Sequence, residues 1–249
     1  MVTALTFDLW DTLVVDDSDE EVRAARGLLP KALARPAVLA EELRQHHDVS
    51  DEAVRAAWEQ ATATFRQQWK VEHRTPHVRE RVREAYGHLG LAPTPGFERV
   101  VEELSRMEVA IAPRPTDGVV ACLRALHGRY PLGIVSDAIV TPGSHLRILL
   151  QRHGLLDFFD FFVFSDEVGA SKPDPAVFHA AAAGLRVDVQ GIVHVGDREA
   201  NDIAGPIAAG ARGVLYTGAI DRGTEGTRAA VICRHLDELP GLVDDLAAA

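Results

Sequence analysis

Four short segments of the sequence carry closely spaced acidic, hydroxyl and lysine side chains. They are Asp8-Leu9-Trp10-Asp11-Thr12-Leu13, Ser136-Asp137, Ser171-Lys172-Pro173-Asp174-Pro175 and Val195-Gly196-Asp197-Arg198-Glu199-Ala200-Asn201-Asp202. A carboxylate can act as a nucleophile, which splits a hydrolysis into two displacements through a covalent intermediate. Paired carboxylates can also hold Mg²⁺, a hard cation that prefers oxygen ligands. A carboxylate after a strand is usually only a helix cap, so the chemistry depends on whether the four segments meet.

The strand pattern predicts that these segments do meet. Short, uniformly apolar runs alternate with helical segments after Pro113, which is typical of a parallel sheet covered on both faces. We predict strands at 4–10, 131–136, 161–165, 191–196 and 212–216, with a weaker one at 229–233, and helices at 116–128, 142–153, 175–184, 200–209 and 236–247. Ligands of such sheets bind beyond the carboxyl ends of the strands, where Asp8, Ser136, Asp166 and Asp197 fall.

The stretch between the first strand and the rest of the sheet has helical periodicity. Apolar side chains recur at i, i+4, i+7, i+8 and i+11 from Val78 to Leu89. Further helices are predicted at 21–34, 36–47, 51–70 and 96–109. The sequence therefore predicts an α/β fold. A doubly wound, Rossmann-like core of residues 1–14 and 113–249 would carry an all-α insert, residues 15–112.

Composition limits the classes of protein to which the chain can belong. Its 249 residues correspond to about 1.7 domains at roughly 150 residues each. The 47% hydrophobic and 25% charged residues are those of a folded protein. A net charge of −11 disfavours a nucleic-acid partner. No apolar run of membrane-spanning length and no signal-like start is found, so we expect a cytoplasmic protein without a membrane partner. Cys122 and Cys233 are predicted to be buried thiols.

In combination, the four segments resemble the haloacid dehalogenase superfamily of hydrolases, most of which are phosphatases. The most specific part is Lys172-Pro173-Asp174-Pro175 followed by Gly-Asp-x-x-x-Asn-Asp-Ile at 196–203. The resemblance covers the whole core, and the insert falls where one subgroup keeps a helical cap. It implies a Mg²⁺-dependent phosphatase that acts on a small phosphorylated substrate through an aspartyl-phosphate intermediate, as a monomer or homodimer.

The resemblance implies which residues carry the reaction and hold the metal. Asp8 would be the nucleophile and, with Asp197, a ligand of Mg²⁺. The main-chain carbonyl of Trp10, two residues after the nucleophile, would be a further ligand. Asp202 belongs to the same metal site, where it would orient a metal-bound water. A cation there is needed because Asp8 and a phosphate, both anions, would otherwise repel each other.

The resemblance also implies a set of residues that bind the phosphoryl group. Ser136 would donate a hydrogen bond to the phosphoryl oxygens, and its neighbour Asp137 belongs to the same set. Lys172 would offset negative charge on the nucleophile and on the transferring group. Thr12 corresponds to the threonine that steadies the loop after the nucleophile.

The first segment departs from the family pattern. Most phosphatases of this family carry a general-acid aspartate two residues after the nucleophile, where this chain has Trp10, which cannot supply a proton. Asp11 follows, where the family usually has glycine. Since a shift of one residue along an extended chain turns a side chain to the other face, Asp11 is either a turn residue or a re-aimed acid. General acid–base catalysis raises the rate by about 10²–10⁴-fold, and its loss would slow the reaction most for substrates with poor leaving groups.

Three other functions remain open from the sequence besides hydrolysis of a phosphate ester. Haloacid dehalogenases also lack the acid and have an aromatic residue at the position of Trp10, but they lack the segment Gly196-Asp197 and have Ser-Asn where this chain has Ser136-Asp137. A carbon–phosphorus hydrolase would need a lysine in the insert, which offers Lys31 and Lys70. The altered first segment also allows a protein that binds a phosphorylated ligand without turning it over.

The insert is locally basic between residues 70 and 88 in an otherwise acidic chain. Arg74 or His73 could reach an anionic substrate there, although a solvated helix with ion pairs is the commoner arrangement. Three other side chains are predicted to lie in the core rather than in a site: His194, Trp58 and Trp69.

Overall fold

The fold centres on a six-stranded sheet in which every strand pair is parallel. The computed structural model describes residues 1–248. The strands are β1 (Ala4–Phe7), β2 (Leu132–Ser136), β3 (Phe161–Phe164), β4 (Ile192–Gly196), β5 (Arg212–Tyr216) and β6 (Val231–Cys233), in the order β3-β2-β1-β4-β5-β6. Leu5 of β1 lies opposite Leu132 of β2 and Val193 of β4. The carboxyl ends of these three central strands therefore meet at one edge, as predicted.

Helices surround the sheet and form the whole of the insert. The insert contains α1 (Asp19–Ala25), α2 (Lys31–Arg44), α3 (Asp51–Lys70), α4 (Val78–His88) and α5 (Phe97–Ala110). The other helices are α6 (Val119–Leu126), α7 (Gly143–Arg152), α8 (Ser165–Val168), α9 (Pro175–Leu185), α10 (Gly205–Ala209) and α11 (Leu239–Ala248). Short 3₁₀ turns lie at Leu156–Phe158 and Val189–Gly191, and a π-helical segment at Glu199–Ala204. No helix within residues 1–248 is long and apolar enough to cross a membrane.

The alternation of side chains along β1 explains why the sheet is covered on both faces. Leu5 and Phe7 join the cluster that contains residues of α6, α7 and α11. Ala4 points to the opposite face and packs in a cluster with Ala182 of α9. Every residue of β1 is buried. This uniform burial explains why the strands are short apolar runs in the sequence, since neither face of a covered parallel sheet meets water.

The insert has a hydrophobic cluster of its own, formed by α2, α3, α4 and α5. Trp58 is a buried member of it, which confirms the prediction for that residue. Val140 from the loop after β2 joins the same cluster and connects it to the core. The predicted helices at 51–70 and 96–109 match α3 and α5 closely.

The first two predicted helices of the insert, 21–34 and 36–47, were divided at the wrong place. The break lies before residue 31, because Gly27 has a φ of +69° and Pro30 stands immediately before α2. Pro36, which separates the two predicted segments, lies inside α2. The predicted helix at 200–209 also differs, since its first half is the π-helical segment Glu199–Ala204.

Candidate active site

Asp8 occupies the centre of the carboxyl edge of the sheet, one residue after β1. Its amide donates a hydrogen bond to the carbonyl of Val195 in β4 at 2.8 Å. The residue is only 6% exposed, and its Oδ1 lies 2.8 Å from Nζ of Lys172. Burial raises the pKa of Asp8, whereas the charge of Lys172 opposes the rise. The ammonium therefore favours the ionised carboxylate that a nucleophile needs.

Three carboxylates meet at this edge. Asp8, Asp197 and Asp202 each place an oxygen within 4.8 Å of the other two, and all three are buried. The backbone permits this approach because Gly196 has no side chain: a Cβ there would lie 2.4 Å from the carboxyl carbon of Asp202. Burial and the charges of the other two acids raise the pKa of Asp197 to about 6.

The residues present fit a hard divalent cation. Oδ1 of Asp197 is buried and accepts no hydrogen bond from the described part of the chain. Asp202 differs, because its Oδ1 accepts from Lys172 at 2.6 Å and from His194 at 3.2 Å, and its Oδ2 from the amide of Arg198 at 2.9 Å. Asp8 and Asp197 are thus the better placed to bind a cation directly, through carboxylate oxygens of the kind Mg²⁺ prefers.

Lys172 is fixed on three sides. Its ammonium contacts Asp8 and Asp202, and its amide donates to Oδ1 of Asp137 at 3.0 Å. Burial alone would lower the pKa of Lys172, but the three surrounding carboxylates raise it above its ordinary value. The side chain therefore stays charged and is held against the nucleophile.

Two hydroxyl groups from the predicted phosphate-binding set lie buried at the same edge. Oγ of Ser136 at the end of β2 and Oγ1 of Thr12 form no hydrogen bond with residues 1–248. A buried hydroxyl without a partner is costly, so such groups usually serve a ligand or a water. Ser136 is thus available to donate to an anion, whereas nothing in the structure tests the loop-steadying role of Thr12.

Trp69 at the end of α3 was predicted to be a core residue, and that prediction was wrong. Its ring lines the cavity above the strand ends, and its Nε1 donates to Oδ2 of Asp137 at 2.9 Å. The ring also stacks on Phe65, with centroids 6.4 Å apart. Helical spacing from Phe65 shows which face of α3 Trp69 occupies, but not that the last turn of this face extends beyond the insert's core.

A cavity of about 220 Å³ separates the strand ends from the insert. Its walls are formed by residues from both parts of the chain: Asp8, Trp10, Asp16, Asp17, Arg35, Trp69, Glu108, Asp137, Ile139, Val140, Thr141, Lys172, Arg198 and Asn201. The sequence missed Arg35 of α2, which reaches the cavity and pairs with Glu108 at 3.2 Å. It indicated Arg74 or His73 instead. The Arg74 side chain is exposed and neither residue lines the cavity, although the carbonyl of His73 accepts from the Ser171 amide at 2.8 Å.

Asp11 does not line the cavity, whereas Trp10 does. Asp11 has a φ of +53°, a conformation that favours glycine, which is the residue usual at this position in the resembled family. Its Oδ1 accepts from the amide of Asp16 at 3.0 Å, and its Oδ2 accepts from Nη2 of Arg222 at 2.8 Å. The residue is 2% exposed. These contacts are those of a buried turn residue.

Arg222 also pairs with Asp197 through its Nε atom. Nothing in the sequence indicated this arginine, which lies in the loop between β5 and β6. No spacing pattern indicates how far such a loop side chain reaches.

His194 and the two cysteines match the predictions made for them. His194 is fully buried in β4 and is hydrogen-bonded to Thr6 at 2.9 Å and to Asp202. Cys122 and Cys233 are buried free thiols, and burial raises the pKa of each to about 12. His194 thus supports Asp202 from inside the sheet.

Comparison with known proteins identifies the family. A family model described as haloacid dehalogenase-like hydrolase matches residues 2–210. The chain therefore belongs to the haloacid dehalogenase-like hydrolases. Hydrolases of this family generally use a divalent metal, which agrees with the aspartate triad.

Individual relatives include enzymes of different specificity. The chain is 35% identical over 97 residues to pyrimidine 5'-nucleotidase YjjG of Escherichia coli strain K12, covering 39% of this chain and 42% of that protein. It is 36% identical over 140 residues to a phosphoglycolate phosphatase of Cereibacter sphaeroides strain ATCC 17025 / ATH 2.4.3, covering 53% and 58%. The chain thus spans about half the length of the curated relatives it matches. A 2-haloacid dehalogenase structure from Pseudomonas syringae pv. Tomato DC3000 aligns with a TM-score of 0.69 over 99% of this chain and 100% of that one, at 23% identity, which shows a shared fold.

Proposed function

We propose that this protein hydrolyses a phosphoric monoester of a small metabolite, with Asp8 as nucleophile and an aspartyl-phosphate intermediate. The observation that carries the proposal is the group of Asp8, Asp197 and Asp202 beside Lys172, in which one buried oxygen of Asp197 has no partner among the described residues. Both curated relatives described above are named for the hydrolysis of phosphate esters, which supports the same chemistry here.

The reaction would proceed in two displacements at phosphorus. The Asp8 carboxylate attacks, the bond to the ester oxygen breaks, and a water later releases phosphate from Asp8. Lys172 offsets negative charge on Asp8 and on the transferring group, and Ser136 donates a hydrogen bond to a phosphoryl oxygen. Mg²⁺ held by Asp8, the Trp10 carbonyl and Asp197, with Asp202 orienting its water, would reduce the repulsion between the nucleophile and the phosphate.

The insert would act as a cap over this site, with residues 15–112 closing on a core of residues 1–14 and 113–249. Its separate hydrophobic cluster supports this division, and Arg35 and Trp69 supply cavity walls from the insert. The cavity volume of about 220 Å³ lies below the roughly 300–1,000 Å³ of pockets for drug-sized ligands. A small substrate is therefore favoured over a large one.

Dehalogenation at carbon is the competing function, and it is favoured by Trp10, since a halide leaves without a proton. The position of Asp197 argues against it. A halocarboxylate reaction has no need of a second carboxylate within 4.8 Å of the nucleophile, where it adds negative charge.

The test is the release of phosphate with and without Mg²⁺ from one aryl, one acyl and several alkyl phosphates. We expect phosphate release that requires Mg²⁺ and disappears in Asp8→Asn. Halide release from 2-haloacids without a metal, in the absence of any phosphate release, would overturn it. Binding of a phosphorylated compound by a protein inert on every ester would show a binding role instead.

A further inference from the structure

We propose that Asp16 is the general acid and base of the reaction, in place of the aspartate that this chain lacks at Trp10. The proposal rests on the phosphatase function proposed above. Its basis is position: Asp16 and Asp8 line the same cavity, as does Trp10, which lies between them in the sequence. An acid that serves the leaving group must face that cavity, which Asp11 does not.

The backbone of Asp16 is held by the turn that follows the nucleophile. The Asp16 amide donates to Oδ1 of Asp11 at 3.0 Å, and Arg222 holds the other oxygen of Asp11. Oδ1 of Asp16 accepts from the Asp17 amide at 2.9 Å, which orients the carboxyl group. Asp11 thereby becomes a support for the acid rather than the acid itself.

The charges around Asp16 favour a carboxyl group that keeps its proton. Nζ of Lys31 contacts Asp17 at 3.0 Å, Asp19 at 2.8 Å and Glu108 at 3.5 Å. Within residues 1–248, Asp16 forms no ion pair with this lysine or with another cation. Burial, followed by the charges of Asp17 and Glu108, raises the pKa of Asp16 to about 6, although Lys31 opposes the rise. An acid with a pKa near the working pH transfers protons efficiently.

Other charged groups also face this region of the cavity. Those that line the cavity are Asp8, Asp17, Arg35, Glu108, Asp137, Lys172 and Arg198, and the charges of Lys31 and Asp11 also act on Asp16. Two of these acids are less suited to the role. The Asp17 side chain is 71% exposed and paired with Lys31, and Glu108 accepts from Thr141 at 2.6 Å in addition to its two cations.

The proton balance follows the two displacements. When the bond between phosphorus and the ester oxygen breaks, the electron pair stays on that oxygen, and the proton of Asp16 moves to it to give a neutral alcohol. The resulting Asp16 carboxylate then takes a proton from the attacking water. As the new bond from water to phosphorus forms, the bond to Asp8 breaks, its electron pair returns to the Asp8 carboxylate, and phosphate leaves.

The experiment compares Asp16→Asn with the wild-type protein on a series of alkyl and aryl phosphates. Since kcat/KM covers the first displacement, it should fall by about 10²-fold or more for alkyl esters and much less for esters with good leaving groups. The wild-type kcat/KM on alkyl esters should decline as the pH rises through about 6, because the acid must be protonated, and Asp16→Asn should lose that decline. Asp117→Asn, at a fully exposed carboxylate, is the matched control and should change neither property.

Each contrary result has a distinct meaning. An equal loss on alkyl and aryl esters would make Asp16 a structural residue, and an unchanged series would remove it from the reaction. A selective loss in Asp17→Asn instead would assign the role to that neighbour. If the wild-type protein releases no phosphate from any ester, the proposed function fails, and this proposal fails with it. Two variants distinguish the proposals. Loss of all activity in Asp8→Asn supports the phosphatase function, and retained aryl activity in Asp16→Asn supports the specific role of Asp16.

Discussion

Nη2 of Arg222 lies 2.8 Å from Oδ2 of Asp11, although the two residues are 211 positions apart in the sequence. The same guanidinium pairs with Oδ2 of Asp197, whose Oδ1 is left without a partner among residues 1–248. One arginine therefore joins the turn after β1 to the acid after β4. It also determines which oxygen of Asp197 remains available to a cation.

Arg222→Ala should weaken binding of Mg²⁺. Residues that orient metal ligands typically account for about 10–100-fold in metal affinity, and we expect a loss in that range. Calorimetric titration with Mg²⁺, together with the metal dependence of phosphate release, measures it. Arg228→Ala, at an exposed arginine 4.0 Å from Glu199, is the control. Tighter binding in Arg222→Ala would mean that the arginine competes with the metal instead of positioning its ligand.

Asp11→Asn should lower activity by less than about 10-fold, and by the same factor for alkyl and aryl phosphates. The amide oxygen can still accept from the Asp16 backbone, while the ion pair with Arg222 is lost. The ratio of the two kcat/KM values is the measurement. A drop of about 10²-fold confined to alkyl esters would instead identify Asp11 as the acid.

Asp8→Asn should lower the rate of turnover by at least about 10³-fold, because an amide is a poor nucleophile although it has nearly the same shape as the carboxylate. The fold should survive, since the amide still offers an oxygen to Lys172 in place of the 2.8 Å contact of the carboxylate. Phosphate release and a thermal melt, measured on the same preparation, test both parts. Turnover near the wild-type rate would remove Asp8 from the role of nucleophile.

Trp69→Phe should raise KM or lower kcat/KM by about 10-fold without a comparable loss of stability. The substitution removes the hydrogen bond to Asp137, and a bond to a charged group contributes about 1.5–3 kcal/mol. Trp58→Phe, in the buried cluster of the insert, is the matched control and should reduce the melting temperature more than the activity. A larger loss of stability than of activity in Trp69→Phe would mean that Trp69 is a core residue.

Cys122 and Cys233 should react slowly with a thiol reagent at pH 8 in the native protein. Burial raises the pKa of each to about 12, so the reactive thiolate is scarce and also shielded. Both should react rapidly in denaturant, where the pKa returns to its ordinary value near 8.5. Counting modified thiols against time, with and without denaturant, is the measurement. Rapid native labelling would mean that the enclosing elements open readily.

Much of the fold and the first set of site residues could be predicted from the sequence because they depend on local patterns. Apolar runs identify the strands, and parallel pairing brings their carboxyl ends, with Asp8 and Asp197, to one edge. Arg35, Trp69 and Arg222 could not be found this way. Each reaches the site across a gap whose width depends on how the insert or a loop packs on the sheet, and no periodicity records that distance.

Asp137 connects the two halves of the site. One of its oxygens accepts from the Lys172 amide at 3.0 Å, and the other accepts from the Trp69 indole at 2.9 Å. An outward swing of α3 would break the second bond and leave the Asp137 carboxylate, which holds the Lys172 amide, with one contact fewer. The substrate would then gain access to the site, while Lys172, which neutralises its charge, would be held less rigidly. Asp137 would thus couple the two parts of the chain, so that the site is most rigid when α3 lies against the strand ends.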